Sequence, residues 1–186
     1  MPHATRRTII AASAALAATP AFAQAKGDPE NTLYLDTKDG RITIALRPDL
    51  APKHVAQIKT LVRRKFYDGL VFHRVIDGFM AQTGDPNGNG TGGSDLPDVP
   101  GEFSKTAKFK RGTVGAARSS SPNSANSQFF VCFAEASNLD GQYTIWGEVT
   151  SGMDIVDKIK KGDARRNGTV ASPDKIVRMV LASDAK

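Results

Sequence analysis

The stretch Phe72-His73-Arg74-Val75-Ile76-Asp77-Gly78-Phe79-Met80-Ala81-Gln82-Thr83-Gly84-Asp85 is the most informative part of this sequence. Two apolar runs flank the Asp77-Gly78 pair, which is typical of a β-hairpin. The hairpin places an arginine, Arg74, and an amide, Gln82, on adjoining strands beside large apolar side chains. Taken alone, the pattern is also compatible with a half-buried sheet face on which Arg74 pairs with a carboxylate.

A second stretch weakens that purely structural interpretation. Residues 123–131 read Asn-Ser-Ala-Asn-Ser-Gln-Phe-Phe-Val and end in another amide followed by aromatic residues, Gln128 before Phe129-Phe130. Two amide–aromatic combinations on separate predicted strands favour a functional site over a structural face.

The composition is that of one soluble globular domain with a short appendage. The chain has 186 residues, 40% apolar and 24% charged, with a formal net charge of +6. The short basic clusters Arg63–Lys65 and Lys160–Lys161 are interpreted as solvated faces, so no nucleic-acid partner is expected. The single cysteine, Cys132, excludes an intrachain disulfide and lies in an apolar run, which favours a buried, inert thiol.

Residues 1–23 have the pattern of a signal peptide. Arg6-Arg7 gives a positive start, residues 9–18 form a short apolar core, and Ala21-Phe22-Ala23 is a small-x-small cleavage site. Pro20 and the lack of charge between residues 8 and 24 disfavour the alternative, a core helix. We predict cleavage before Gln24 and a polar linker over residues 24–30.

The predicted leader also bears on where the protein acts. It contains two basic residues and no acidic one, so cleavage leaves a net charge of +4. Its apolar run is too short for a permanent membrane span, and no other segment is long enough, so no membrane association is expected. A nearly cysteine-free mature chain suits a bacterial periplasm. Arg6-Arg7 leaves both the general secretory and the twin-arginine export routes open.

Periodicity along the rest of the chain predicts a mainly β domain with two helices, interpreted as an antiparallel β-barrel capped by helices. Helical spacing covers Leu50 to Arg64 and begins again at Met153, ending at Gly162. Further strands are predicted at Leu33–Leu35, Ile42–Leu46, Gly112–Ala117, Gln128–Ala134, Tyr143–Val149 and Ile176–Leu181.

Two motifs suggest other chemistries but lack the context these need. Gly88–Gly93 satisfies GxGxxG, yet the following residues 94–101 contain two prolines, so the helix that a dinucleotide site requires is not predicted. The serines Ser119–Ser121 lack a GxSxG elbow. Outside the leader, two histidines and one cysteine cannot build a zinc site, so no metal and no cofactor are expected.

The two site stretches together resemble the signature of the cyclophilin family of peptidyl-prolyl cis–trans isomerases. Leu139-Asp140-Gly141 and Trp146–Val149 resemble the family's next stretch, and the likeness runs from about Thr32 to Lys161. The resemblance implies a domain over residues 31–183 that is a closed, antiparallel, eight-stranded β-barrel capped by two α-helices. It also implies an enzyme that accelerates rotation about X–Pro bonds during protein folding, by non-covalent stabilisation of the twisted imide.

The resemblance also assigns roles to individual residues. Arg74 would donate to the prolyl nitrogen as that nitrogen pyramidalises, and Gln82 would bind a substrate carbonyl. Ala117-Arg118-Ser119 would form a lip beside the site. The remaining substrate-binding positions, which hold the proline ring or border its pocket, are His73, Phe79, Met80, Gln128, Phe130, Leu139 and Tyr143.

The simple hairpin pattern conflicts with these roles. A tight Asp77-Gly78 turn would pair Ile76 with Phe79, placing Met80 and Gln82 on the face opposite Arg74. The site residues can meet only if a bulge or sharp bend near Gly78 shifts the alternation. This shift is implied by the resemblance and not by the pattern.

Two positions depart from the commoner family pattern. Asn138 stands where many members have a tryptophan lining the pocket, and Tyr143 stands where a histidine is frequent. Because that tryptophan contributes an apolar wall and an N–H donor in the family, we expect cyclosporin to bind this chain only weakly.

The expected partners are unfolded or partly folded proteins and peptides with exposed X–Pro bonds, bound by a monomer in the periplasm. The alternative is a proline-binding or chaperone-like module with little turnover. Such a module would keep the apolar pocket but would not need Arg74, whose presence favours the enzyme.

Overall fold

The structure is a computed structural model that describes Met1 and residues 27–186. The predicted cleavage site and most of the predicted signal peptide therefore lie outside the described residues, as does the start of the predicted linker.

Eight strands carry the described fold, and each predicted strand is present with slightly different bounds. They are β1 (Thr32–Thr37), β2 (Gly40–Leu46), β3 (Arg74–Ile76), β4 (Met80–Thr83), β5 (Thr113–Ala116), β6 (Phe129–Cys132), β7 (Ile145–Ser151) and β8 (Arg178–Leu181). They form one antiparallel sheet in the order β3-β4-β6-β5-β7-β2-β1-β8.

The sheet curls into a half-barrel, and among the described residues β3 and β8 do not pair with each other. The chain segments that precede these edge strands touch through isolated backbone contacts. Phe72 N donates to Asp174 O at 2.9 Å, and Val71 forms a single bridge with Lys175. The expectation of a fully closed barrel is thus met only as a curled sheet.

Helix α1 (Pro52–Arg63) buries the predicted apolar face, which includes Val55 and Ile58, and also buries His54. Its first residue is proline, which suits a position whose N–H would be unpaired. Glu102 caps the helix from a distant loop by accepting the backbone N–H groups of Lys53 and His54. Helix α2 (Met153–Lys158) ends earlier than predicted.

Apolar side chains gather on both faces of the sheet. The larger cluster, around Leu33, Leu61 and Trp146, lies between the sheet and α1. The smaller cluster covers the opposite face of the central strands and contains Met80, Phe109, Phe130, Cys132, Ala136, Leu139 and Ile145. This smaller cluster forms the floor on which the site is built.

Candidate functional site

The turn between β3 and β4 sets which side chains meet. Ile76 pairs with Met80, so the connection has three residues and not the two of the predicted tight turn. Gly78 adopts φ 68°, Phe79 N donates to Ile76 O at 3.1 Å, and Phe79 is left as the extra residue before β4. The tight-turn register is therefore wrong, and the shift implied by the family resemblance is present.

With this register, site residues form a row across four neighbouring strands. Arg74 on β3 pairs with Gln82 on β4, which pairs with Phe130 on β6, which pairs with Gly115 on β5. Gly115 leaves room for the aromatic ring, because a Cβ there would lie 2.6 Å from Phe130 Cζ and 2.7 Å from Phe109 Cε1. The row brings a cation, an amide and an aromatic ring to one face.

An apolar cavity of about 280 Å³ opens beside this row. It contains seven of the nine predicted site residues: Arg74, Phe79, Met80, Gln82, Phe130, Leu139 and Tyr143. Asn138, Ala117 and Arg118 complete its lining. The cavity thus joins a hydrophobic floor to a rim with hydrogen-bonding groups.

Arg74 is held at the rim by neutral partners. Its Nη1 donates to Gln82 Oε1 at 3.1 Å, its Nε to Asn167 O at 3.1 Å and its Nη2 to Asn167 Oδ1 at 3.0 Å. Burial lowers the pKa of the guanidinium, which remains charged. No carboxylate lines the cavity among the described residues, so this positive charge faces the cavity without a counter-ion.

Gln128 lies in a second, polar cavity of about 490 Å³ that shares Gln82, Ala117 and Arg118 with the first. Gln82 Nε2 donates to Gln128 Oε1 at 2.9 Å. Gln128 is thus linked to the rim through Gln82, although it does not line the apolar cavity.

His73 lies elsewhere. Its side chain is 6% exposed and lies beneath Gly90, where a Cβ on the glycine would be 3.8 Å from His73 Nε2. Burial lowers the pKa of this imidazole, which favours its neutral form. His73 lines neither cavity and packs against the glycine-rich loop, Gly88–Gly93, at Gly90.

The aromatic wall is fixed by its neighbours. The rings of Tyr143 and Phe130 meet edge to face at 6.0 Å, and the Arg118 guanidinium stacks 4.4 Å from the centre of the Tyr143 ring. Arg118 Nη2 also donates to Gln142 O at 3.0 Å. The predicted lip residue Arg118, which lines both cavities, therefore packs on Tyr143 at the wall of the apolar cavity.

The sequence did not predict a role for Asn167, which accepts hydrogen bonds from Arg74 through both its backbone oxygen and its side-chain Oδ1. It lies 93 residues further along the chain, at φ 54°, in the turn after a short 3-10 helix. The sequence Asn167-Gly168 signals only a turn. Nothing local connects this turn to a strand so distant in sequence.

The GxGxxG stretch lies in a loop, and Cys132 lies in the core. Gly88–Gly93 is part of a loop that leads to β5 with no helix in between. Within the described residues, no cluster of three potential metal ligands occurs, and no helix has the length and apolarity to cross a membrane. Cys132 is fully buried, and burial raises the pKa of its thiol to about 12.

Comparison with known proteins supplies the deciding observation. The family model described as "Cyclophilin type peptidyl-prolyl cis-trans isomerase/CLD" matches residues 32–181. The chain belongs to the cyclophilin family. The predicted function and enzyme class are thereby confirmed: this cyclophilin is a member of a family of peptidyl-prolyl cis–trans isomerases.

Relatives in sequence support the assignment along nearly the whole cyclophilin chain. A protein of Brucella suis biovar 1 named "Probable peptidyl-prolyl cis-trans isomerase" is 55% identical over 193 residues, covering 97% of this chain and 98% of its own. A peptidyl-prolyl cis-trans isomerase of Helicobacter pylori is 42% identical over 137 residues, covering 69% of this chain and 80% of its own.

Solved structures agree with the fold. A cyclophilin from Hirschia baltica has a TM-score of 0.77 and 30% identity, covering 86% of this chain and 77% of its own. A Cryptosporidium parvum cyclophilin, solved in the presence of the dipeptide Ala-Pro, has a TM-score of 0.74 and 26% identity, covering 81% of this chain and 98% of its own.

Proposed function

We propose that this cyclophilin is an exported folding catalyst that stabilises the twisted state of X–Pro bonds, with Arg74 and Gln82 as its catalytic residues. The observation that carries the proposal is the uncompensated Arg74 guanidinium at the rim of the apolar cavity. A binding module would need the cavity alone, whereas the cation offers a means of lowering the barrier.

The chemistry requires neither a nucleophile nor a metal. Rotation about a peptide bond costs about 18–20 kcal/mol because the nitrogen lone pair is delocalised into the carbonyl. At X–Pro bonds the two isomers differ by only about 0.5–1 kcal/mol but interconvert in tens to hundreds of seconds. A catalyst therefore needs only to bind the twisted state more tightly than either planar state.

The proline ring would sit on the floor formed by Phe79, Met80, Phe130 and Leu139, with Tyr143 as a side wall. The Ala-Pro dipeptide present with the C. parvum relative supports this kind of ligand. Burial of the ring would anchor one side of the rotating bond and orient the prolyl nitrogen toward the rim.

Arg74 would then act on the nitrogen itself. Of the five N–H groups of a guanidinium, three are used by Gln82 and Asn167, which leaves two for the substrate. As the bond twists, the nitrogen lone pair localises and becomes a better acceptor, so a hydrogen bond from Arg74 strengthens in the transition state. This differential binding lowers the barrier.

Gln82 would hold the substrate backbone. One hydrogen of its Nε2 group goes to Gln128, and the other remains available to a substrate carbonyl. Gln128 and His73 would support the site from the polar cavity and from beneath the loop. Fixing the carbonyl while the ring is buried would confine the motion to the X–Pro bond.

We further propose that the protein is exported to the periplasm after removal of residues 1–23, and that it acts as a monomer on exposed X–Pro bonds of other proteins. The basic start, apolar core and Ala21-Phe22-Ala23 site support export. The modest, dispersed charge gives no support to nucleic-acid binding.

The direct test of catalysis follows cis-to-trans conversion of a short X–Pro peptide with the purified chain. We expect acceleration that EDTA and thiol blockers leave unchanged, because no proposed step uses a metal or Cys132. Peptide binding without acceleration would support the proline-binding module instead.

A further inference from the structure

Asp85 is a buried carboxylate that the mechanism above does not use. It is 1% exposed, and it accepts the backbone N–H groups of Asn87 at 2.8 Å, Asn89 at 2.9 Å and Gly90. Burial alone raises the pKa of Asp85, but these donors outweigh it and leave the pKa below its ordinary value. The carboxylate therefore stays charged and holds the backbone of the glycine-rich loop, Gly88–Gly93, in place.

The loop packs closely around this carboxylate. A Cβ on Gly92 would collide with Asp85 Oδ1 and lie 2.9 Å from Asn87 Nδ2. Glycine is thus the residue that lets the backbone at position 92 approach the carboxylate. The positions of the loop carbonyls follow from this contact.

Two of those carbonyls determine how the side-chain amides of Gln128 and Gln82 are oriented. Gln128 Nε2 donates to Gly90 O at 3.1 Å and to Gly92 O at 2.8 Å, so both of its hydrogens are used. Its Oε1 must then face Gln82, from which it accepts a hydrogen bond at 2.9 Å.

The orientation of the Gln128 amide in turn determines which atom of Gln82 faces Arg74. With its Nε2 turned toward Gln128, Gln82 presents Oε1 to Arg74 Nη1 at 3.1 Å. If the loop carbonyls moved, both amides could reverse, and an NH₂ group would face the guanidinium donors. Donor would then oppose donor, and Arg74 would leave its position.

We propose that Asp85 is a positioning residue for the isomerase site. Its carboxylate fixes the loop carbonyls that set how the amides of Gln128 and Gln82 face, and it thereby keeps Gln82 Oε1 turned toward the guanidinium. This inference rests on the proposed roles of Arg74 and Gln82.

The test compares Asp85→Asn with a matched control, Glu102→Gln. An asparagine at 85 retains one acceptor oxygen but turns an NH₂ group toward backbone donors. Glu102 also accepts two backbone N–H groups, from Lys53 and His54, but it lines neither cavity. Both variants neutralise a carboxylate that accepts backbone N–H groups, but only Asp85→Asn acts on the loop beside the site. Comparing the two therefore separates a loss of stability from a loss of positioning.

For Asp85→Asn we expect kcat on a short X–Pro peptide to fall about 10-fold. The Kd of the peptide should stay within about threefold, since the apolar floor is intact. Glu102→Gln should lower the melting temperature but keep kcat within about twofold. Wild-type kcat in Asp85→Asn, or equal losses in both variants, would overturn the proposal.

A second readout does not depend on turnover. In NMR spectra of ¹⁵N-labelled protein, Asp85→Asn should shift the side-chain NH₂ signals of Gln82 and Gln128 and the Nε–H signal of Arg74. Glu102→Gln should leave the signals of all three side chains in place. Unchanged signals in Asp85→Asn would refute the positioning role, whether or not the wild-type protein isomerises the peptide. A wild-type protein that does not isomerise the peptide would refute the proposed function alone.

Discussion

Arg74 and Gln82 face each other at a directly paired position of β3 and β4, and Arg74 Nη1 donates to Gln82 Oε1 at 3.1 Å. The cation that would act on the prolyl nitrogen is therefore held by the amide that would bind the substrate backbone. Because both belong to one short hairpin, a change in its turn would separate them.

Arg74→Ala should lose most turnover while the fold persists. Losing a hydrogen bond from a charged donor costs about 1.5–3 kcal/mol, or roughly 10- to 150-fold in rate. Arg74→Lys should rescue poorly, because an ammonium lacks the planar fork of donors. The measurement is kcat/KM on an X–Pro peptide with a melting curve for each variant.

The matched control for Arg74 is Arg41→Ala. Arg41 on β2 pairs with Asp36 on β1 and lines neither cavity, so its loss should change kcat/KM less than twofold. Arg74→Ala with wild-type kcat/KM and an unchanged melting curve would show that the role given to Arg74 is wrong.

Asn167→Gly should lower kcat about 5-fold, less than Arg74→Ala, because the Asn167 carbonyl still accepts from Arg74 Nε. Glycine suits the φ of 54° at this position, so the variant removes the side chain without backbone strain. Ser172→Gly is the control, since Ser172 also has a positive φ, 51°, but is not among the hydrogen-bond partners of the Arg74 side chain. Equal kcat in the wild type, Asn167→Gly and Ser172→Gly would exclude a positioning role for the Asn167 side chain.

Cyclosporin should inhibit this cyclophilin weakly, and Asn138→Trp should increase its sensitivity. Asn138 lines the apolar cavity next to Leu139 but supplies neither an aromatic wall nor an indole donor. One aromatic contact and one hydrogen bond are together worth about 2–4 kcal/mol, or roughly 30- to 900-fold in affinity. Inhibitor titration of both proteins, with turnover on a small peptide as the control, measures the difference. Equal and tight inhibition of the two would count against this role for position 138.

Stability should fall as the pH drops below about 6.5, in part because of His54. Burial is the main cause that lowers the pKa of His54 below its ordinary value of about 6.5, despite the Glu102 carboxylate 2.6 Å from Nδ1. The unfolded chain therefore binds more protons than the folded chain below pH 6.5, so stability declines toward the folded pKa. Burial lowers the pKa of His73 as well, which adds to the decline.

His54→Asn should flatten this decline, because asparagine can still donate to Glu102 but does not titrate. Urea unfolding of both proteins between about pH 5 and pH 8 gives the comparison. Parallel stability curves for the two would mean that His54 does not contribute.

The mature protein should begin at Gln24 in the periplasmic fraction. Mass spectrometry of that fraction tests this directly. Replacing Ala21 and Ala23 with leucine should leave the leader attached, whereas Phe22→Leu should be processed normally, because only the small positions are read at the cleavage site. A mature pool that retains residues through Arg6 would contradict export by cleavage.

The family, the eight strands, both helices and most of the residues around the apolar cavity are predicted from the sequence alone. These features are local: alternation marks a strand, Asp-Gly marks a turn, and the site side chains are concentrated in the two stretches 72–85 and 123–131. The signal peptide also follows from sequence pattern alone and stays a prediction.

Features that depend on the path of the chain were visible only in the tertiary structure. It set the three-residue turn that brings Arg74 opposite Gln82, the half-barrel in place of a closed barrel, and the place of His73 beneath the loop. It alone brought Asn167 to the guanidinium across 93 residues and aligned Gln128 with the loop carbonyls. Backbone carbonyls and contacts between distant segments leave no periodic or compositional signal, so packing of the complete chain is needed to place them.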